Sequence, residues 1–193
     1  VVEVMDGIAA AEKAGFDSLK INTVVQRGVN DHTVLDLVEH FRGTGHTVRL
    51  IEFMDVGNVN HWQREMVVPS AELLKLIHSR WPLRPVAKQP VGETARRYAF
   101  EDGAGEVGFI SSITEPFCGD CTRARITAEG LFYTCLFSAE GTVLRDRIRE
   151  GLNEEELIAV VRETWAKRTD RYSEQRTHQP QRKPHIEMYR MGG

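Results

Sequence analysis

The sequence has no apolar run approaching the roughly eighteen residues that a membrane-crossing helix needs. No stretch of it reads as a secretory leader either. Cysteine is scarce, with three in 193 residues, all between positions 118 and 135. An odd, clustered set does not make a disulfide framework; it points to a reducing compartment, and a cytoplasmic setting is expected. Neither sign of charge is in excess. Twenty-five Lys and Arg face 28 Asp and Glu, for a net charge of −3. A broad field of the kind that attracts nucleic acid is therefore missing, and whatever binds here binds locally. Internal repeats and low-complexity blocks are absent. So is an initiator Met: the text opens "VVEVMDGIAAAEKAGF", already in a helical pattern. It reads as a piece of a longer protein cut just before a helix. The length suffices for a core without cross-links but is short for a complete (β/α)8 barrel.

What is present alternates at first. Val4, Ile8 and Ala11 fit one face of a helix ending near Gly15. Residues 18–25, "SLKINTVV", read as a strand. Asn30 or Asp31 is placed to cap a helix burying Val34, Leu37, Val38 and Phe41. "TVRLIEFM" (47–54) is the next strand. A helix over 70–81, opened by Pro69 and Ser70, turns Leu73, Leu74, Ile77 and Trp81 inward. This order predicts parallel strands with helical crossovers, an α/β fold, over residues 1–82. From 83 to about 137 the pattern changes to short strands, "ARRYAF", "GEVGFISS", "TRARIT" and "LFYTCLF", with "EDGAG" and "AEG" as hairpin loops. A helix over 153–168 closes this β-rich region (83–170). Asn153 and Glu156 fit a capping box, and Leu157, Val160, Val161 and Trp165 form its apolar face. Residues 171–193, basic and punctuated by proline, read as a flexible tail ending in Gly-Gly.

The cysteines carry the chemistry. Cys118 and Cys121 form a C-x-x-C knuckle whose tight loop brings two sulfurs to one side, and Cys135 follows on a later strand. Three uses of such a set compete. One is structural zinc with a recruited histidine. None of the seven histidines lies between Cys118 and Cys135; the nearest are His78 and His178. Another is an iron–sulfur cluster with one iron left open, and the third a redox C-x-x-C with Cys135 incidental. Arg123 and Arg125 follow at alternate positions, which on a strand share a face. Beside thiolates they make an anion site, since a guanidinium grips phosphate or carboxylate through two hydrogen bonds. In the first half, Lys20, Asn22 and Arg49 interrupt apolar strands. A buried cation is costly unless paired, so they are expected to line a polar cavity at the C-terminal mouth of the strands, with Glu52 as an ion-pair partner. Met54 reads as core.

Taken together, "LKINTVVQRGVND", "RLIEFMDVGN", "FCGDCTRARITAEGLFYTCLF" and the terminal "GG" resemble the C-terminal part of the molybdenum cofactor biosynthesis protein A family, the GTP 3′,8-cyclases. The resemblance runs in order from Lys20 to Gly193. It implies the end of an incomplete (β/α)6 radical S-adenosylmethionine barrel, followed by a cluster-binding region and a closing helix. It also implies a lyase-type cyclisation of GTP to (8S)-3′,8-cyclo-7,8-dihydroguanosine 5′-triphosphate, initiated by a 5′-deoxyadenosyl radical. By the same resemblance, Cys118, Cys121 and Cys135 hold a second [4Fe-4S] cluster. Lys20, Arg123, Ala124 and Arg125 bind GTP, Arg49 acts in the active site, and Met54 lies beside S-adenosylmethionine instead of in the core. Gly192 and Gly193 reach into the site. It further implies a homodimer, and a cyclic pyranopterin monophosphate synthase acting on the product. The C-x-x-x-C-x-x-C motif of the radical-generating [4Fe-4S] cluster is missing, so the chain alone is expected to be inactive, with an exposed sheet edge inviting self-association. Two other uses stand beside this one: a non-catalytic zinc- or cluster-binding module with an anion pocket, and a sulfur-carrier-like role for the Gly-Gly end.

Overall fold

A computed structural model describes residues 1–87, 92–176 and 186–191. The chain divides into two compact units, Val1–Met54 with Gln63–Glu115, and Asp55–Trp62 with Pro116–Gly193.

The first unit is a mixed α/β sheet. Its strands are β1 (Lys20–Val25), β2 (Thr47–Glu52), β3 (Leu83–Pro85), β4 (Arg96–Phe100) and β5 (Glu106–Ile110). They lie in the order β1-β2-β5-β4-β3. β1, β2 and β5 are parallel; β4 runs antiparallel to β5, and β3, antiparallel to β4, returns to the direction of the first three. The change of pattern after residue 82 is real in sequence, yet the sheet runs through it: β5 returns to pair with β2, with "EDGAG" as the β4–β5 hairpin turn. Helix α1 (Val2–Lys13) precedes β1, and helices α2 (Val34–Phe41) and α3 (Ser70–Arg80) supply the crossovers.

Strand alternation sorts the two sheet faces. Val25, Val48, Leu50, Val107 and Phe109 point to the face covered by α2 and α3, where Val34, Val38, Phe41, Leu73 and Ile77 complete the core. Leu37, Leu74 and Trp81 are only partly buried against it. On α1 the inward positions are Met5 and Ile8, while Val4 is exposed. β1 forms one edge of the sheet.

Two expected caps act differently. Asn30 accepts from the Gln26 N–H at 2.8 Å, and Asp31 from the Gly28 N–H at 2.9 Å. They therefore fold the turn after β1 and leave the start of α2 alone. At α3 the N-cap is Pro69, which has no side-chain donor or acceptor to offer. The role passes to Glu52, as described below.

The second unit carries a small antiparallel sheet of β6 (Arg125–Ile126), β7 (Leu131–Tyr133) and β8 (Thr142–Val143). "AEG" makes the β6–β7 turn. Helices α4 (Arg145–Arg149), α5 (Glu154–Ala166) and α6 (Tyr172–Gln175) follow. The capping box of α5 is formed: Glu156 N–H donates to Asn153 Oδ1 at 3.0 Å, and Asn153 N–H to Glu156 Oε2 at 2.9 Å. The region read as a flexible tail contributes α6 and a 3₁₀ turn at Met188–Met191, with Ile186 buried against Tyr133.

Candidate metal centre and anion site

The knuckle is a single 3₁₀ turn, Cys118–Asp120, closed by the Cys121 N–H donating to the Cys118 carbonyl at 3.3 Å. Cys135 follows β7 and accepts at Sγ from the Phe137 N–H at 3.4 Å. All three thiols are half-buried and free, so no disulfide competes for them. Of the two arginines, only Arg125 lies on a strand; Arg123 precedes β6 and is exposed. The expected strand alternation therefore does not relate them. Arg123 instead donates from Nε to Cys121 Sγ at 3.4 Å, and its guanidinium lies 5.1 Å from the centre of the Phe117 ring.

Electrostatics tie these groups together. Burial pushes the Cys121 thiol up, but hydrogen bonds from Arg123, its charge and a hydrogen bond from Arg168 outweigh this and hold the thiol below its ordinary value. Burial dominates at Cys135, whose thiol is pushed up, with the negative charges of Asp170 and Cys118 adding to it. Burial and the Arg123 charge pull Arg125 down, offset by Cys121 and Cys135. The three thiols and two guanidiniums thus share one electrostatic neighbourhood.

A second layer supports them. Arg168 donates from Nη1 to the Cys121 carbonyl and lies over the Trp165 ring at 4.8 Å. Its neighbour Asp170, 3.7 Å from Arg168 Nε, accepts from the Thr134 hydroxyl, one residue before Cys135. Glu174 on α6 accepts from the Gly119 N–H at 3.2 Å, inside the knuckle. Asp55 is 1% exposed and accepts from Tyr172 Oη at 2.6 Å and Arg176 Nε at 3.0 Å. Tyr172 in turn stacks on Phe137 at 4.4 Å.

Among the described residues no three His, Cys, Asp or Glu side chains are already gathered as a metal-holding group. The second unit supplies a donor set: three free, half-buried thiols with cations beside them. That chemistry suits a thiolate-ligated group. Of the two histidines nearest the cysteines in sequence, His78, in the first unit, accepts from the Leu83 N–H at 3.0 Å. His178 lies outside the described residues.

The profile of the family described as Molybdenum Cofactor Synthesis C matches residues 46–174, from the turn before β2 to α6. The chain belongs to that family.

Its relatives include the GTP 3′,8-cyclase of Xanthomonas campestris pv. campestris (strain B100), 56% identical over 191 residues, which are 99% of this chain and 56% of that protein. The GTP 3′,8-cyclase of Xanthomonas axonopodis pv. citri (strain 306) is 55% identical over 193 residues, 100% of this chain and 57% of the relative. That of Synechococcus sp. (strain CC9605) is 50% identical over 197 residues, with 100% and 56% covered. The chain spans a little over half the length of these relatives.

The first unit holds the other expected site residues of this family member. Lys20, Asn22 and Arg49 do share a sheet face, the one opposite α2 and α3. Lys20 is the first residue of β1, however, so it marks the N-terminal end of the strand and not its C-terminal mouth. Arg49 pairs in register with Asn22 and Gly108. A side chain at Gly108 would come within 3.2 Å of Arg49 Cγ, so the glycine leaves room for the arginine's stem. Glu52 pairs with neither cation among the described residues. Its carboxylate, 1% exposed, accepts from Ser70 N–H at 2.8 Å, Thr114 Oγ1 at 2.6 Å, and the Ile113 and Thr114 N–H groups at 2.9 Å each. It serves as the missing cap of α3. Met54 is half-buried. Gly192 and Gly193 lie outside the described residues. The supporting residues Arg168, Asp170, Tyr172, Glu174 and Arg176 were absorbed into the reading of helix end and flexible tail. Their signal was the dense run of arginines each followed within three residues by an acid, "RTDRYSE".

Proposed function

We propose that this chain is the cluster- and substrate-holding part of a GTP 3′,8-cyclase, acting in the first step of molybdenum cofactor biosynthesis, and that its first unit ends an incomplete (β/α)6 radical S-adenosylmethionine barrel. What supports this most is one contact: Arg123 donates to the sulfur of Cys121, so an anion-gripping side chain sits directly on a candidate metal ligand. In this reading Cys118, Cys121 and Cys135 hold a [4Fe-4S] cluster. When bound, such a cluster supplies an open iron to a donor atom of the guanine. Arg123 and Arg125, with Ala124 between them, bind GTP. Lys20 carries positive charge for the triphosphate and Arg49 acts in the active site. Met54 lies beside S-adenosylmethionine, and Gly192 and Gly193 approach the site. Positioning is the main task of these residues, because a radical step is steered by where the reacting atoms are held. The radical-generating cluster belongs to the portion of the relatives that this chain does not span. Homodimerisation, a cytoplasmic setting, and a cyclic pyranopterin monophosphate synthase consuming the product belong to the same proposal.

Anaerobic iron–sulfur reconstitution, with iron, sulfide and zinc analysis and GTP titration on the same sample, tests it. About four irons and four sulfides per chain, with a spectrum that moves on GTP addition, are expected. Cys118→Ala, Cys121→Ala and Cys135→Ala should each lose most of that iron, and full retention in all three would remove the ligand assignment. Zinc without any GTP response would favour the non-catalytic module. Arg123→Ala should weaken GTP binding about tenfold to a hundredfold, the range for a charge-assisted hydrogen bond to phosphate, while leaving the melting temperature in place. Equal GTP affinity would refute its role.

A further inference from the structure

The segment just before the terminal Gly-Gly is held in an unusual way. Glu187 Oε1 accepts from both the backbone N–H of Asn58, at 3.0 Å, and the side-chain amide of Asn58, at 2.8 Å. Gly57, at φ 65°, lies so close that a side chain there would collide with Glu187 Oε2. The glycine is needed for its left-handed backbone, and a side chain there would push the Glu187 carboxylate aside. On either side of Glu187 the segment is tied down again. Ile186 is buried against Tyr133, with Leu131 and Leu136 packed beside it. Arg190 Nη2 meets Glu129 Oε1, in the β6–β7 turn, at 3.3 Å. Every one of these residues belongs to the second unit.

We infer that Gly57 and Asn58 form a carboxylate receptor that docks residues 186–191 through Glu187, and that this dock positions Met191, from which the terminal Gly-Gly departs. Two donors converging on one carboxylate oxygen, with a glycine cleared beneath the other, is a recognition geometry for a carboxylate. Ile186 supplies apolar burial and Arg190 a second ionic tie, so the dock does not hang on one bond. Glu187 is a positioning residue. Its functional part rests on the reading of Gly192 and Gly193 as acting at the active site; the docking itself does not.

Hydrogen–deuterium exchange on the whole chain reads the dock directly. Glu187→Ala, Asn58→Ala and Gly57→Ala should each speed exchange at the amides of 186–191 about tenfold, leaving β1, β2 and β5 unchanged. Asn58→Ala with Glu187→Ala should add little to Glu187→Ala alone, because the acceptor of the side-chain amide is already gone. Asn58→Asp should release the segment more than Asn58→Ala by setting two carboxylates face to face. Unchanged exchange at 186–191 in all three single variants overturns the dock. In the full-length enzyme Glu187→Ala should lower kcat for GTP with KM little changed; an equal kcat would overturn the positioning role. Deleting Gly192 and Gly193 separates the two readings. Full activity after the deletion would refute the Gly-Gly reading, while faster exchange at 186–191 in Glu187→Ala would still uphold the dock.

Discussion

Glu52→Ala is expected to destabilise the first unit by about 3–5 kcal/mol, the range for breaking a buried charged network. The carboxylate is buried with no cation paired to it among the described residues, a costly arrangement on its own. It is sustained by four hydrogen bonds from three places: the first residue of α3, and Ile113 and Thr114 beyond β5. It also sits at the positive end of α3, where a negative charge is favoured. Removing it strands backbone donors at Ser70 and Ile113, both buried residues. It also uncouples α3 from the strand ends it crosses. Glu52→Gln is the discriminating companion. Its amide oxygen still serves the Ile113 and Thr114 N–H groups, but its NH₂ meets the Ser70 N–H, donor against donor. A loss of about 1–3 kcal/mol follows. Urea denaturation followed by Trp81, with Trp62 and Trp165 changed to Phe, isolates the first unit. A loss under about 1 kcal/mol for Glu52→Ala would show that water replaces the carboxylate at no cost.

Arg176→Ala is expected to cost the second unit a similar amount, about 3–5 kcal/mol. It leaves the Asp55 carboxylate buried without this guanidinium. Arg176 is 9% exposed and spreads over the Tyr172 and Phe137 rings at 5.4 and 5.6 Å, so packing is lost along with charge. Asp55→Leu with Arg176→Met should recover much of the loss, since a buried pair replaced whole by apolar groups is often neutral. Trp165 fluorescence, with Trp81 and Trp62 changed to Phe, reads this unit. If the double replacement is as unstable as Arg176→Ala alone, the shape of the site and not its charge carries the stability.

The elements legible in sequence were those with a strong local signal. α3 and α5 came through within a residue or two at each end because apolar spacing and, for α5, a capping box act within a few residues. The β4–β5 hairpin was legible from its loop. "TRARIT" and "LFYTCLF" shrank to strands of two and three residues, since short strands owe their extent to partners that the text does not specify. Glu52 was the sharpest misreading. A carboxylate in an apolar strand beside arginines invites an ion pair, yet its partners are backbone N–H groups up to 62 residues away.

The sequence by itself determined the α/β beginning, the capping box, and the clustering of the cysteines with Arg123 and Arg125, because spacing along the chain carries them. Through the quoted motifs it also marked the family. Tertiary structure alone decided the rest. β5 returned across the pattern change to pair with β2. Glu52 capped a helix that opens on proline. Arg168 and Asp170 reached the two cysteine segments, and Glu187 found Asn58, 129 residues away. Those outcomes turn on which buried donor meets which acceptor once the chain has folded, and residue order does not record that choice.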